Sequence, residues 1–439
     1  MIERWKENEE KMDITVAFYN NGYGHDYGDG VIALADSEPE EITWMFWDDV
    51  KASQDLVSLG YGDIIDRFNE TYDGQYHVNV VTTNLTEYET KLSALIAAGD
   101  TPDVFICNPG PYMKRYIDTG AVADLTDTLK TDEKDWYDTF NPGVFDGVSF
   151  DDKICAVPVN GAIGSLFYNT QIFEEQGIEV PKTYDELIEA CKKLQDAGIS
   201  PIACSVNTTW VFSMMAGYLF QRSGCSMDAI NAHEENWTDD KYVAAAEKAK
   251  DIAQYFQPTA IGDSNDQAVA AFYNGEAAML IQGSWSVAGI NGNAPDMEEV
   301  TGIMQFPAID GSEGDPNAVM MKTDNMCISA TTEHKDACIA LLKMFTDDTS
   351  EKYYVEKCGK TAVTGAEIDY STAAKEMSYI SDVLQNATST FGFYNESTPD
   401  KEAADMFDNL MSDVAMGNAE PADACQQLQD YYTENVWAE

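Results

Sequence analysis

From Ile42 onward the apolar residues fall into short runs separated by helical stripes. ITWMFW reads as a strand; a helix with Ile64, Ile65 and Phe68 on one face follows, and HVNVVTT forms a second strand. Thr86 and Glu89 have capping-box spacing ahead of Leu92, Leu95 and Ile96, and Gly99 supplies the stop. Pro102 then opens a third strand, DVFIC. Short, fully apolar strands alternating with helices indicate a parallel sheet covered on both faces.

The middle of the chain repeats this grammar. GSLFYNTQIF leads into VPKTYDELIEACKKLQDAGI, where Thr183 and Glu186 make another capping box and Gly198 ends the helix; ISPIAC follows as a strand. Ser264 starts a helix through Phe272 and Tyr273, and Gly275 precedes the buried strand AAMLI. Beyond Glu333 the pattern is mostly helical, with Met406, Phe407, Leu410, Met411 and Val414 on one face and Gly417 closing it. Two α/β blocks and a helical C-terminal part result. Residues 1–40 differ: DITVAFYNNGYGHDYGDG is strand-like, then rich in Gly, Asn and Asp, and reads as an unassigned leader or an extra edge strand. No period of repeat-protein length recurs, which excludes solenoids and propellers.

Composition narrows the class. The 439 residues hold 26 Lys and Arg against 77 Asp and Glu, a formal charge of −51. Such a surface repels phosphate backbones and anionic headgroups, so no nucleic acid partner is expected. With 44% hydrophobic and 11% aromatic residues the chain nonetheless has material for a core, and its length calls for more than one domain. No apolar run is long enough to cross a bilayer, and MIERWKENEEKM shows neither an h-region nor a cleavage site. The nine cysteines are odd in number, form no CxxC pair and sit in apolar contexts such as VFIC, so they are expected to be buried free thiols, in keeping with a reducing or anaerobic habitat.

The chemistry-bearing motifs of nucleotide, hydrolase and zinc sites are missing, and the four histidines lie far apart. No cofactor and no metal site are expected. A carboxylate pair at glycosidase spacing needs only two acids, so an enzyme stays open as an alternative. The informative places are the strand ends, where open α/β sheets bind ligands. Trp47, Asp48 and Asp49 follow the first strand; Asn108, Pro109 and Gly110 follow DVFIC; Gly283, Ser284 and Trp285 follow AAMLIQ. Indoles there suit the C–H faces of sugar rings, and Asp and Asn suit the hydroxyls.

Four ordered motifs then carry a resemblance. KLSALIAAGDT with PDVF and YIDTGAVADLTD, the stretch AVPVNGAIGSLFYNTQIFEEQGIEVPKTYDELIEACKKL, the string FYNGEAAMLIQGSW, and GIMQFPAIDG together resemble extracellular solute-binding proteins of family 1, the maltose-binding type that feeds ABC importers. The resemblance implies an α/β, two-lobed periplasmic-binding-protein fold, each lobe a sheet flanked by helices, with three interlobe crossings near Asn160–Gly164, Lys322–Met326 and Lys360–Gly365. It implies lobe 1 from 41–161 plus 326–362 and lobe 2 from 162–325 plus 363–439. Carried over by position, Trp285 is the stacking indole and Trp210 a cleft aromatic. Trp47, Asp48, Asp49 and Asn108 face the ligand from lobe 1, Asn160 lies at the first crossing, Asp324 and Asn325 lie near the second, and Phe393 adds a later aromatic. The implied function is capture of a mono- or oligosaccharide, without catalysis, by a monomer that delivers it to ABC transporter permease subunits. The implied location is extracellular, attached to the cell surface as a Gram-positive type lipoprotein. A polyamine-type binding protein of the same broad fold is a further alternative.

Overall fold

The structure, a computed structural model, describes residues 39–369, 371 and 373–438. The strand and loop expected ahead of residue 39 lie outside the described residues.

The first strand, Glu40–Phe46, buries Trp44, Met45 and Phe46 and pairs in parallel with Tyr76–Thr82 on one side and Val104–Cys107 on the other. Between them run the helices Leu56–Thr71 and Leu85–Ala98. The second helix starts earlier than the Thr86 box implies, because Asn84 caps it by accepting from the Glu87 N–H; asparagine is the stronger cap of the two. Gly99 ends it in the left-handed conformation at φ 80°.

Farther along, the Thr183 box is formed as expected. Thr183 Oγ1 accepts from the Glu186 N–H at 3.3 Å, and the Glu186 carboxylate accepts from the Thr183 N–H at 3.2 Å. Replacing Thr183 by alanine is expected to cost about 1 kcal/mol of stability, read as a lowered urea midpoint. An unmoved midpoint would show that the reciprocal bonds contribute nothing.

The expectation of a parallel sheet holds only at the two ends. Two long strands, Val157–Asn169 and Val319–Ile328, run antiparallel to each other in the middle, with a register shift between Asp324 and Asn325. Val319–Ile328 also pairs antiparallel with Val104–Cys107, and Val157–Asn169 pairs antiparallel with Ala277–Gly283 and Thr301–Met304. Ser200–Ala203 then joins Ala277–Gly283 in parallel. The middle is antiparallel because one long strand carries the chain out of the first half of the sheet and the other carries it back. Every residue of Val157–Asn169 is buried, as a strand covered along its whole length requires. A third passage lies alongside: Gly161 and Thr361 exchange backbone hydrogen bonds of 2.9 and 2.8 Å.

The hydrophobic cores separate on either side of these passages. One gathers Trp44, Tyr61, Phe68, Phe105 and Phe345. Another gathers Phe212, Tyr218, Phe220, Trp237 and Phe407, and a third, smaller one holds Phe167, Phe272, Leu280 and Ile380. The molecule is two-lobed, with half of the sheet and its flanking helices in each lobe, and the C-terminal helices Lys401–Met416 and Pro421–Tyr431 pack on the second. All nine cysteines are free and buried. Burial alone pushes the Cys191 thiol up to about 12, which leaves it protonated and inert. Among the described residues no helix is long and apolar enough to cross a membrane.

Candidate functional site

Trp285 stands between the end of the Ala277–Gly283 strand and the start of the Ser286–Asn293 helix. Its six-membered ring lies against the Cα of Gly283, so close that a Cβ there would run into ring carbons; only glycine leaves the indole this resting place. Phe393 stacks near it, with ring centroids 6.3 Å apart and 26° between planes. Trp210, in the first turn of the Thr209–Arg222 helix, is 6.2 Å away and tilted by 57°. Side chains far apart in sequence thus build one aromatic platform.

Charged groups face that platform. Lys322, from the Val319–Ile328 strand, places Nζ 5.8 Å from the Trp285 ring centre and 5.7 Å from that of Phe393, and Lys360 places its own 5.7 Å from Trp285. These distances lie within the range of cation–π attraction. Lys322 donates to Asn108 Oδ1 at 2.9 Å and pairs with Glu396 at 3.2 Å. Lys360 pairs with Asp324 at 2.6 Å. Tyr61 donates to the same Asp324 oxygen at 3.3 Å, and Asn160 Nδ2 donates to the Tyr61 hydroxyl at 2.8 Å. Burial would raise Asp324, but Lys360 and then Lys322 outweigh it and hold the carboxyl below its ordinary range. For Glu396 burial wins over the opposing pull of Lys322, and its carboxyl lies above the ordinary value. Two ammonium groups and two carboxylates balance one another.

The lobes meet beside this cluster. Gly110 sits at φ 63° after the Val104–Cys107 strand, and a Cβ there would collide with the Glu396 carbonyl oxygen. Next to it, Asn395 Nδ2 donates to the Tyr112 hydroxyl at 3.1 Å, joining the Pro111–Asp118 helix of the first lobe to a segment of the second.

Of the residues singled out in the sequence, Asn108, Trp210, Trp285, Asp324 and Phe393 are brought together here. Asn160 is linked to them through Tyr61, and its Oδ1 is buried without a protein hydrogen bond. Asn325 is wholly buried and turned to its own surroundings, accepting from the Thr323 hydroxyl and donating to the Cys107 and Thr323 carbonyls. Trp47 packs on Phe46 and edge-on to Tyr88. Asp48 accepts from the Ser53 and Ser58 hydroxyls, and Asp49 accepts from the Lys51 and Ala52 N–H groups. Among the described residues no hydrogen bond or ring contact joins these last three directly to the platform.

Lys322, Lys360, Glu396 and Tyr61 were not singled out. One signal existed: in the strand VMMKTDNMCI, Lys322 and Asp324 are two positions apart, so they fall on one face of the strand between Met320 and Met326. The assembled groups offer flat aromatic faces, ammonium and amide donors, and carboxylate acceptors, which is the equipment for holding a polyhydroxylated ring.

Residues 59–352 match the family model described as bacterial extracellular solute-binding protein. The multiple sugar-binding protein of Streptococcus mutans is 24% identical over 310 residues, 66% of this chain and 70% of that one. The maltotriose-binding protein of Pyrococcus abyssi is 26% identical over 278 residues, 61% of this chain and 56% of that one. Across such curated relatives the matched part ranges from 45% to 70% of their length. A solved chitin oligosaccharide binding protein shares the fold with a TM-score of 0.82 at 22% identity, over 91% of this chain and 100% of that one. With a family model matched over well more than half its length, two lobes, and a polar and aromatic cluster at their crossings, the chain belongs to the bacterial extracellular solute-binding proteins.

Proposed function

We propose that this chain captures a neutral mono- or oligosaccharide between its lobes and delivers it to the permease subunits of an ABC transporter. The observation that carries the reading is the Trp285–Phe393–Trp210 platform faced by a charge-balanced set of donors and acceptors. A neutral sugar leaves that balance intact: its hydroxyls donate to Asp324 and accept from Lys360, while Lys322 stays paired with Glu396. An anionic sugar or a polyamine would add an uncompensated charge to a desolvated site, which is costly. The names of the relatives, for multiple sugars, maltotriose and chitin oligosaccharides, support the sugar assignment.

The lobes in this reading are 41–161 with 326–362 and 162–325 with 363–439, the three passages between them acting as the hinge. Sugar contacts both, favours the closed form, and the closed form docks on the permease. The protein works as a monomer outside the cell, held at the surface by a lipid anchor. No bond is made or broken in this reading; Asp324 pairs with Lys360 and Glu396 with Lys322, and both pairs serve to hold and orient the ligand.

Intrinsic tryptophan fluorescence tests the reading with maltotriose, diacetylchitobiose, xylotriose and raffinose, with galacturonate and putrescine as charged controls. A saturable change with at least one neutral saccharide is expected, and chromatography should recover that sugar intact. A response to putrescine or galacturonate alone would overturn the assignment, and cleavage of the sugar would make the protein an enzyme.

A further inference from the structure

We propose that Lys322 competes with the sugar for the Trp285–Phe393 platform and ties the two lobes together when no sugar is bound. The inference rests on the reading of the cleft as a sugar site.

The ammonium of Lys322 stands over both rings at less than 6 Å. A pyranose that stacks on the same faces needs that volume, so lysine and sugar exclude each other there. The same ammonium makes the contacts expected of a ligand that closes a cleft. It reaches Asn108, at the end of a first-lobe strand, and Glu396, in the segment beside Phe393 that packs on the second lobe. The Lys322 side chain is 14% exposed and its ion pair spans 3.2 Å, whereas that of Lys360 is 4% exposed with a pair of 2.6 Å. Lys322 is the looser of the two and the one able to withdraw. On withdrawal it can keep Glu396 while giving up Asn108 and the rings, so no charge is stranded.

A bridged form that excludes the ligand lowers apparent affinity by the fraction of molecules it occupies. Removing the bridge therefore tightens binding, the opposite of what removing a ligand contact does. Two variants read this out: Lys322→Met, which keeps the apolar stem, and Lys322→Met with Glu396→Gln, which also keeps the charge balance. Thermal melts establish that both fold. Small-angle scattering without sugar is expected to show a larger radius of gyration in both variants than in the parent chain. Calorimetry with maltotriose, diacetylchitobiose, xylotriose and raffinose is expected to show roughly three- to tenfold tighter binding of whichever the parent binds. An unchanged radius would refute the bridge, and weaker binding would make Lys322 an ordinary ligand contact. If the parent binds none of the four and responds to putrescine or galacturonate instead, the sugar reading fails, and scattering alone then decides for or against the bridge.

Discussion

Trp285→Ala is expected to weaken sugar binding by about tenfold or more while leaving the protein folded. The indole is only partly buried and packs against the second-lobe core from its edge, so its truncation takes less from the core than from the platform. Loss of one stacking face and of the area it covers corresponds to about 1.4 kcal/mol or more, which is the tenfold. A companion variant separates area from geometry. Gly283→Ala keeps the indole but sets a methyl group where the ring now rests, and the ring must tilt away from the position that faces Phe393, Lys322 and Lys360. An intermediate loss is expected from it. Calorimetric titration of both variants with the saccharide that the parent binds is the measurement. Equal affinity of Trp285→Ala and parent would remove Trp285 from the site, and an unaffected Gly283→Ala would show that the ring's setting is immaterial.

The elements were readable because each is declared locally. The Thr183–Glu186 box, the stop at Gly99 and the closing Gly417 at φ 74° need nothing beyond a few neighbouring residues. Strand direction in the middle of the sheet was not readable, since an apolar run looks the same in a parallel or an antiparallel neighbourhood. The site divides along a similar line. Trp285 was legible because a glycine-bounded indole at a strand end is a local signal. Lys322 and Lys360 were not, because an isolated lysine reads as a solvated side chain until the fold supplies its partners. Asn108 lies 214 positions from Lys322, and Lys360 meets Asp324 across 36 positions by way of a separate passage between the lobes. Asp48 illustrates the reverse: a carboxylate at a strand end that looked free for a ligand accepts instead from two serine hydroxyls on the helix entry beside it.

Stability is expected to rise as the pH falls from 8 to about 5. Three buried carboxyls drive this. Burial pushes Glu351, Glu376 and Asp408 each up to about 7. Glu351 accepts from the Val363 and Thr364 N–H groups through one oxygen and leaves the other unbonded; neither oxygen of Glu376 is bonded to another residue; Asp408 accepts from Asn395 at 2.9 Å. Between the ordinary carboxyl range and pH 7 the folded chain holds these protons and the unfolded chain does not, so folding takes up protons and acid favours it. Above pH 7 all three must ionise in the interior, and the advantage is lost. The slope is on the order of 1 kcal/mol per group per pH unit inside that window. Carboxyls held low, such as Asp324 beside Lys360 and Asp315 beside the Thr388 and Ser389 hydroxyls, act with the opposite sign but only at pH values below the ordinary carboxyl range. The maximum therefore falls near pH 5. Self-repulsion of a chain at −51 favours acid as well, but salt screens it. Melting temperatures at pH 5, 6, 7 and 8 in high salt isolate the buried groups, and Glu376→Gln should flatten the slope by about a third. A melting temperature independent of pH across this range would show the three carboxyls ionised in the folded protein.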